Sequence, residues 1–448
     1  MTVLDALTER GLRAAAGDRH ARDTAALHLL DTVGCIAGAA GHPTATRLGG
    51  LPPAAGPHRT LGGHHSLGRA VLVEATLAHL DEFDALHPAA AVAPAAVVVP
   101  TALLVAADVD APGERLLAAV LAGYETVVEA ALRFGGAALY ASGWWPTAVF
   151  GPLGAAAATA VLLDLSPARH REALSLAAAG LGGLLSADRL GDAHYLLTGQ
   201  AAARGAEAAY LARAGAGGSP ALLDAPAAAA LGRAPAAPSP AGPSPAGPSP
   251  AAPSPAAPSP AGPHLLGTAL KAYPCARPLH AALDALRQLA GDGVDLAAAR
   301  EVRVALPPPL LRFVTADPAP PGPAEAAASA AVAVAALLRG RADDPAAYRD
   351  GGPPTGPPVS LAGDETLLTA FPAHWGAEVT VSTVDGAVLR RRVLDAPGDP
   401  ARPLDATAVR AKFDRQVPRA ARLAEACLGI AAAASVRPLR RLLAGVLR

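Results

Sequence analysis

Apolar residues recur at helical spacing through much of the first half of the chain. The pattern is clearest in the stretches 27–37, 116–132, 151–163 and 201–214. Residues three or four apart lie on one face of a helix, so each stretch predicts a helix with a buried face. Alanine and glycine are frequent on these faces, which favours closely packed helices. The apolar stretch 89–107 is interrupted by Pro94 and Pro100, and it predicts a loop and a buried helix rather than a membrane span.

The pattern changes in the second half of the chain. Residues 301–306 and 377–383 alternate apolar and polar side chains, as strands do when one face is buried. Asp385-Gly386 then provides a hairpin turn signal that predicts pairing with 387–394. Helical spacing is present at 284–289 and 326–338, and it returns in the segment 405–448. This order predicts a mainly α protein in which a smaller α+β block lies between two helical segments.

A segment rich in Pro, Ser and Ala separates the two blocks. Residues 238–262 are five copies of Pro-Ser-Pro-Ala followed by Ala or Gly. Such a sequence cannot bury a core, and each proline removes a backbone donor, so we expect a disordered linker. The predicted division is a helical domain over 1–235, the linker over 236–263, an α+β domain over 264–402, and a helical segment over 403–448 that returns to the first domain.

Composition and charge narrow the class of protein. The chain has 448 residues and a formal net charge of −1, without a basic tract, which argues against a nucleic-acid or membrane partner. Its three cysteines are widely spaced, which fits reduced thiols in the cytoplasm and gives no zinc-ligand spacing. The charged N-terminal residues do not resemble a signal peptide. Glycine motifs that bind nucleotide phosphates are absent from the sequence, and we expect neither a cofactor nor a metal.

Lys271 is the first candidate for chemistry. The chain has only two lysines, Lys271 and Lys412, and its other basic residues are arginine or histidine. An ammonium group can lose its proton when it is desolvated, whereas a guanidinium group cannot. Lys271 precedes Ala-Tyr-Pro-Cys, and this context favours proton transfer or carboxylate binding. The alternative is a surface lysine before a turn.

Acidic and histidine side chains gather just before Pro88. Glu82 and Asp84 are candidate carboxylates, and His87 follows them. His79 and Glu82 are three residues apart, a spacing that places two metal ligands on one face of a helix. However, His87 lies off that face and Pro88 ends the helix, so the sequence does not predict a metal site.

Seven short motifs follow one another along most of the chain. They are Leu30–Gly38, His79–Pro88, Pro94–Pro100, Gly123-Tyr124-Glu125, Gly143–Gly151, Leu270–His280, and Arg402–Asp405 with Lys412-Phe413. Together they resemble the MmgE/PrpD family of 2-methylcitrate dehydratases, cis-aconitate decarboxylases and related enzymes. The resemblance implies a large helical domain built from both chain ends, an inserted α/β lid domain, a homodimer, and a cofactor-independent reaction on a small molecule.

Several active-site positions depart from the family pattern. The replacements are Ala85 for an aspartate, Leu86 for a threonine, Ala93 and Trp145 for histidines, His194 for a lysine, and Val332 for a tyrosine. The changes at Ala93, Trp145 and Val332 remove polar groups and add apolar surface or space. They favour a substrate that is bulkier or less charged than 2-methylcitrate.

The resemblance and these departures together define the candidate site. The predicted catalytic residues are Lys271, Glu82, Asp84 and His194. The predicted substrate-binding residues are His87, Trp145, Thr147, Tyr273, Arg277 and Arg189. Desolvation in an apolar pocket is expected to lower the pKa of Lys271 and to raise the pKa of Glu82.

The expected function is that of a lyase, of the dehydratase or decarboxylase type, or of an isomerase. It would act by proton transfer next to a carboxyl or carbonyl group. Two alternatives remain open at this point. One is a repurposed cyclase or dehydratase in a natural-product pathway, and the other is an inactive homologue that serves as a binding protein or scaffold. A turnover assay across carboxylic acids separates these alternatives.

Overall fold

The helices of the N-terminal part enclose most of the apolar side chains. The computed structural model describes residues 1–52, 55–185, 191–224, 230–231, 262–349 and 355–447. The elements of the first part are α1 (Val3–Ala15), α2 (Arg19–Gly38), α3 (Pro43–Gly49), β1 (His58–Thr60), β2 (Gly63–His65), α4 (Leu67–His79), α5 (Pro94–Asp108), α6 (Gly113–Arg133), α7 (Pro146–Leu162), α8 (Pro167–Ala178) and α9 (Asp192–Arg213). The helical stretches predicted from the apolar spacing lie within α2, α6, α7 and α9 or overlap their ends.

A four-stranded sheet forms in the second half of the chain. Its strands are β3 (Ala299–Leu306), β4 (Val359–Gly363), β5 (Ala377–Thr383) and β6 (Val388–Val393), in the order β4-β3-β5-β6. β5 pairs antiparallel with β3 and β6, and β4 pairs parallel with β3. The predicted strands and hairpin are confirmed. β4 was not predicted, because it is a short edge strand whose side chains are all partly exposed and therefore show no alternation.

The remaining α-helices of the described residues are short. They are α10 (His280–Gly291), α11 (Pro323–Ala327), α12 (Ala330–Leu338), α13 (Ala346–Arg349), α14 (Ala406–Gln416), α15 (Ala421–Leu428) and α16 (Arg437–Val446). The prediction of one helix over 326–338 is wrong. The backbone on either side of Ser329 pairs with Thr315, and the Ser329 side chain then accepts a hydrogen bond from Val332 N to begin α12. Tertiary pairing overrides the helical spacing at this point.

Buried hydrophobic residues form two clusters. The larger draws on the N-terminal helices and on α14, α15 and α16, with Leu29 and Phe413 among its fully buried members. The smaller lies between α10, α12 and the sheet and includes Leu286 and Val302. The α+β block therefore has a core of its own, and its action as a lid stays a prediction. Of the predicted linker, only residues 262 and 263 lie within the described ranges.

Two apolar helices matter for the membrane question. The predicted buried helix after Pro94 is confirmed, since α5 is buried along nearly its whole length with Pro100 inside it. The segment Arg19–Gly41 is long and apolar enough to cross a membrane by length and composition alone. However, 72% of its apolar window is buried inside the protein, as expected for a core helix.

A close contact between α4 and α9 positions the candidate site. A Cβ atom at Gly199 would lie 2.3 Å from both Leu72 O and Thr76 Oγ1, so glycine permits the two helices to touch at this position. The C-terminal end of α4 thereby meets the N-terminal end of α9. This contact places His79 next to His194.

Candidate active site

Two buried lysines hold the backbone of the acidic segment, which we define as residues 79–88. The Nζ atom of Lys271 donates to Glu82 O at 2.8 Å, and the Nζ atom of Lys412 donates to Phe83 O at 2.7 Å. Glu82 has a φ of +50°, in the left-handed region that is unfavourable for a residue with a side chain. The two ammonium groups therefore stabilise a backbone conformation that the segment would not prefer by itself.

Four side chains gather around Glu82. With Glu82 they form what we call the Glu82 cluster: His79, Glu82, Asp84, His194 and Lys271. The Lys271 ammonium lies 3.0 Å from Glu82 Oε2, and His79 Nδ1 lies 2.9 Å from Asp84 Oδ1. The second carboxylate oxygen, Glu82 Oε1, lies 3.7 Å from His79 Nε2 and 3.9 Å from His194 Nε2. Each of these residues is at most 8% exposed. The structure thus brings together all four predicted catalytic residues.

The charges of Lys271 and Glu82 stabilise each other. Burial alone would lower the pKa of Lys271, but the carboxylates of Glu82 and Asp84 outweigh it and raise that pKa. Burial alone would raise the pKa of Glu82, but Lys271 and His79 outweigh it and lower that pKa to about 2. Both expected directions were wrong, because desolvation was considered without the counter-charge that lies beside each group. The pair is therefore ionised near neutral pH.

His79 was not predicted from the sequence to act as an acid or base. Burial lowers its pKa, but Asp84 and then Glu82 outweigh burial and raise it. The hydrogen bond to Asp84 makes Nδ1 the donor and leaves Nε2, which has no hydrogen-bond partner among the described residues, facing Glu82. His194 behaves differently, since burial and the charge of His79 lower its pKa to about 3. His79 can therefore carry a proton near neutral pH, whereas His194 is neutral.

An aromatic wall covers one side of the Glu82 cluster. Trp145 stacks on His194 with ring centroids 4.0 Å apart and on His79 with centroids 5.4 Å apart. Tyr195, which was not predicted, packs edge-on against both histidines. Its hydroxyl group is buried and has no hydrogen-bond partner among the described residues. The wall places a large apolar surface directly beside the groups that can exchange protons.

Two predicted substrate-binding residues support the surrounding backbone. Thr147 Oγ1 accepts a hydrogen bond from Ala93 N at 3.0 Å, which ties the start of α5 to α7. His87 Nδ1 accepts one from Ala90 N at 3.2 Å, and its ring packs edge-on against His264. Burial lowers the pKa of His87 to about 3, so it is a neutral ring within the acidic segment's turn.

Two further predicted binding residues, Tyr273 and Arg277, are not brought into the Glu82 cluster. Tyr273 packs in the smaller core, with its ring 5.3 Å from that of His280. Arg277 is buried and forms an ion pair with Asp399, so its guanidinium group already has an internal partner. Arg189 lies outside the described residues. No sequence pattern could have shown that Asp399, far along the chain, supplies the counter-charge of Arg277.

His79, Glu82 and His194 also have the residue types of a metal centre. Their ligand atoms all lie within 4.8 Å of one another. However, Lys271 already compensates the charge of Glu82, and the Asp84 carboxylate compensates a protonated His79. A divalent cation would add uncompensated charge to a buried group that is balanced without it. Metal independence stays a prediction on these grounds.

An ion pair between Arg349 and Asp81 lines a small cleft beside the acidic segment. Arg349 Nε donates to Asp81 Oδ1 at 2.7 Å, and its Nη2 donates to Gly38 O at 2.9 Å. The cleft holds only about 10 Å³ and is lined by Asp81, Arg349 and His42 among others. The His42 ring packs against that of Tyr195, a member of the aromatic wall. Through His42 the cleft therefore borders the aromatic wall.

Two protein-family models match this chain. The MmgE/PrpD N-terminal domain matches residues 10–231, and the MmgE/PrpD C-terminal domain matches residues 273–433. The first match contains every member of the Glu82 cluster except Lys271, which lies just before the second match. No curated protein matches the chain.

Proposed function

The chain belongs to the MmgE/PrpD family, and from that premise we propose that it is a dehydratase-type lyase that moves a proton next to a carboxyl or carbonyl group. The observation that carries the proposal is the buried Lys271–Glu82 ion pair beside the His79–Asp84 hydrogen bond. This arrangement combines a base, an acid and a cation within one water-excluding cluster.

Substrate binding would activate Glu82 as the base. A carboxylate of the substrate competes with Glu82 for the ammonium group of Lys271. Once Lys271 is engaged with the substrate, burial raises the pKa of Glu82 because its counter-charge has been withdrawn. Glu82 then accepts the proton from the carbon next to the substrate's carboxyl group. Lys271 stabilises the negative charge that develops on the carboxyl oxygens.

His79 would act as the acid. Its protonated ring, oriented by Asp84, donates a proton to the leaving hydroxyl group, which departs as water while the carbon–carbon double bond forms. Over the reaction Glu82 gains one proton and His79 loses one. Glu82 Oε1 and His79 Nε2 lie 3.7 Å apart, too far for a direct hydrogen bond, so a water molecule that enters after product release would carry the proton from Glu82 to His79 and restore both groups.

The surroundings of the cluster support a substrate that is bulkier or less charged than 2-methylcitrate. Within the described residues, Lys271 is the cation closest to Glu82, and Arg277 is paired with Asp399. A single available ammonium group suits one carboxylate better than three. The Trp145 ring adds apolar surface where the family has a histidine, and it favours the alternative of a repurposed dehydratase or cyclase on an apolar intermediate.

A turnover assay with the purified full chain tests this proposal. The panel contains hydroxy mono-, di- and tricarboxylic acids, alkyl- and aryl-substituted acids, 2-methylcitrate and cis-aconitate, with loss of water or carbon dioxide followed by mass spectrometry. We expect turnover of an acid with an apolar substituent and little turnover of the two reference acids. Glu82→Gln should lower the rate by about 10² to 10⁴, whereas Glu114→Gln at an exposed position of α6 should not.

The other outcomes of this assay count against the proposal in different ways. Robust turnover of 2-methylcitrate or cis-aconitate would refute the argument from Trp145 and Ala93. A folded protein that converts none of the acids would support an inactive binding or scaffold homologue. Full activity in Glu82→Gln would remove Glu82 as the base.

A further inference from the structure

A second cavity lies where α16 meets the strand β1. Its volume is about 280 Å³, and its walls come from β1, the end of α5 and α16. Four arginines line it, namely Arg59, Arg437, Arg440 and Arg441. We call it the arginine cavity. It shares no lining residue with the Glu82 cluster.

Arg440 is built into the wall of the arginine cavity. It is only 8% exposed, and its Nη2 atom donates to Arg59 O at 2.6 Å and to Glu74 Oε1. These two acceptors fix the plane of the guanidinium group. Its Nη1 atom is buried and has no hydrogen-bond partner among the described residues. A buried donor without an acceptor is unfavourable, and since Arg440 lines the cavity, a small shift of its side chain would bring Nη1 into contact with an oxyanion there.

The other charges leave an excess of positive charge at the cavity. Arg437 is paired with Asp110 at 2.9 Å, and Asp108 lies 3.6 Å from His58. Among the described residues, no carboxylate lies within 4.0 Å of the guanidinium group of Arg59 or of Arg441, so neither forms an ion pair. Both side chains are exposed at the rim. They can therefore turn toward an anion without breaking an existing contact.

We propose that the arginine cavity binds the oxyanion group of a small molecule, either a phosphate or a carboxylate. The planar fork of a guanidinium group matches two oxygens of such an anion. Arg440 and Arg441 line the cavity from α16, and Arg59 lines it from β1. The volume suits a small metabolite rather than a polymer. Asp108 and Asp110 at the same place oppose a polyanion such as nucleic acid.

Isothermal titration calorimetry on the full chain tests this site, with inorganic phosphate and citrate as separate probes at constant ionic strength. The informative variants are Arg441→Gln and Arg59→Gln, which remove exposed side chains without breaking an ion pair of the described residues. Arg440→Lys retains a charge for Glu74 and removes the free Nη1 donor. Arg422→Gln is the matched control, because Arg422 is exposed on α15 and lines no part of the cavity.

We expect saturable binding of at least one probe by the wild-type protein. Each of the three cavity variants should bind about tenfold more weakly, the loss expected for one hydrogen bond to a charged group. The control should bind like the wild type. Tighter binding of phosphate identifies a phosphate group as the ligand's anion, and tighter binding of citrate identifies a carboxylate.

Two results would overturn the proposal. One is the absence of saturable binding of both probes by the wild-type protein. The other is equal affinity in Arg441→Gln, Arg59→Gln and the Arg422→Gln control, which would show that binding occurs elsewhere. Because Arg59 and Arg441 are exposed, Arg59→Gln and Arg441→Gln should fold normally. These two variants therefore test the proposal even if Arg440→Lys lowers the stability of the protein.

Discussion

At the scale of single residues, the role of Lys271 depends on its partner. The Lys271 ammonium and the Glu82 carboxylate are both buried and lie 3.0 Å apart. A lysine in such a pair holds its proton more firmly than a free one. In the proposed reaction it would therefore serve as a cationic anchor, and Glu82 would serve as the base. Of the two roles expected for Lys271, the ion pair favours carboxylate binding over proton transfer, and in the proposed reaction His79, whose pKa is raised, would supply the titratable proton.

This pairing predicts a coupled effect on stability. Lys271→Met leaves the Glu82 charge buried without a partner, which should lower the free energy of unfolding by about 3–5 kcal/mol. Adding Glu82→Gln to the same chain removes that charge and should restore much of the loss. Urea unfolding of the wild type, both single variants and the double variant measures the coupling. Strictly additive single effects would contradict the ion pair.

At the scale of secondary-structure elements, α14 connects the end of the chain to the acidic segment. Lys412 on this helix lies 2.7 Å from Asp31 Oδ1 on α2, and its ammonium lies 3.8 Å from the centre of the Phe83 ring. The same ammonium donates to Phe83 O. One side chain therefore ties α2, α14 and the acidic segment together, and it helps to position Glu82.

Loss of this connection should be costly. Lys412→Met leaves Asp31 buried without a counter-charge, and we expect the free energy of unfolding to fall by about 3–5 kcal/mol. Arg410→Met on the same helix removes only a partly exposed ion pair with Asp414, so its effect should stay within about 1 kcal/mol. Hydrogen exchange at the amides of residues 82–86 should quicken in Lys412→Met alone. Similar unfolding midpoints for the two variants would refute this role.

At the scale of the whole molecule, the densely packed interior keeps several histidines neutral. Burial lowers the pKa of His28, His87 and His194 to about 3 and that of His170 to about 4. In the unfolded chain each would titrate near 6.5. Between these values the unfolded state binds protons that the folded state does not, so the free energy of unfolding falls as the pH falls from about 6.5 toward 4.

The melting temperature should therefore drop when the pH is lowered from 7 toward 5, before most carboxylates titrate. His170→Leu removes one of these groups and should make the decrease with falling pH shallower. His20→Gln is the matched control, because His20 is exposed and should leave the slope unchanged. A melting temperature that is constant across this pH range would contradict the prediction. Differential scanning calorimetry supplies the measurement.

Local spacing accounts for much of what could be predicted. The cores of α2, α6, α7 and α9 and the strands β3, β5 and β6 were predictable, because apolar periodicity depends only on neighbouring residues. α1 could also have been found, since Thr2 and Asp5 form a capping box at its start. α12 begins later than predicted because Thr315, distant in sequence, pairs on both sides of Ser329.

The sequence by itself determined the mainly α character, the family resemblance, and the segments that contain Glu82, His194 and Lys271. Only the tertiary structure decided which partner each of these groups has. Asp84 turns back to His79, and Lys271 approaches Glu82 across nearly two hundred residues of chain. Desolvation depends on burial, but the opposing Coulomb interaction depends on the distance between charges. That distance is set by packing between remote segments, which no local pattern contains.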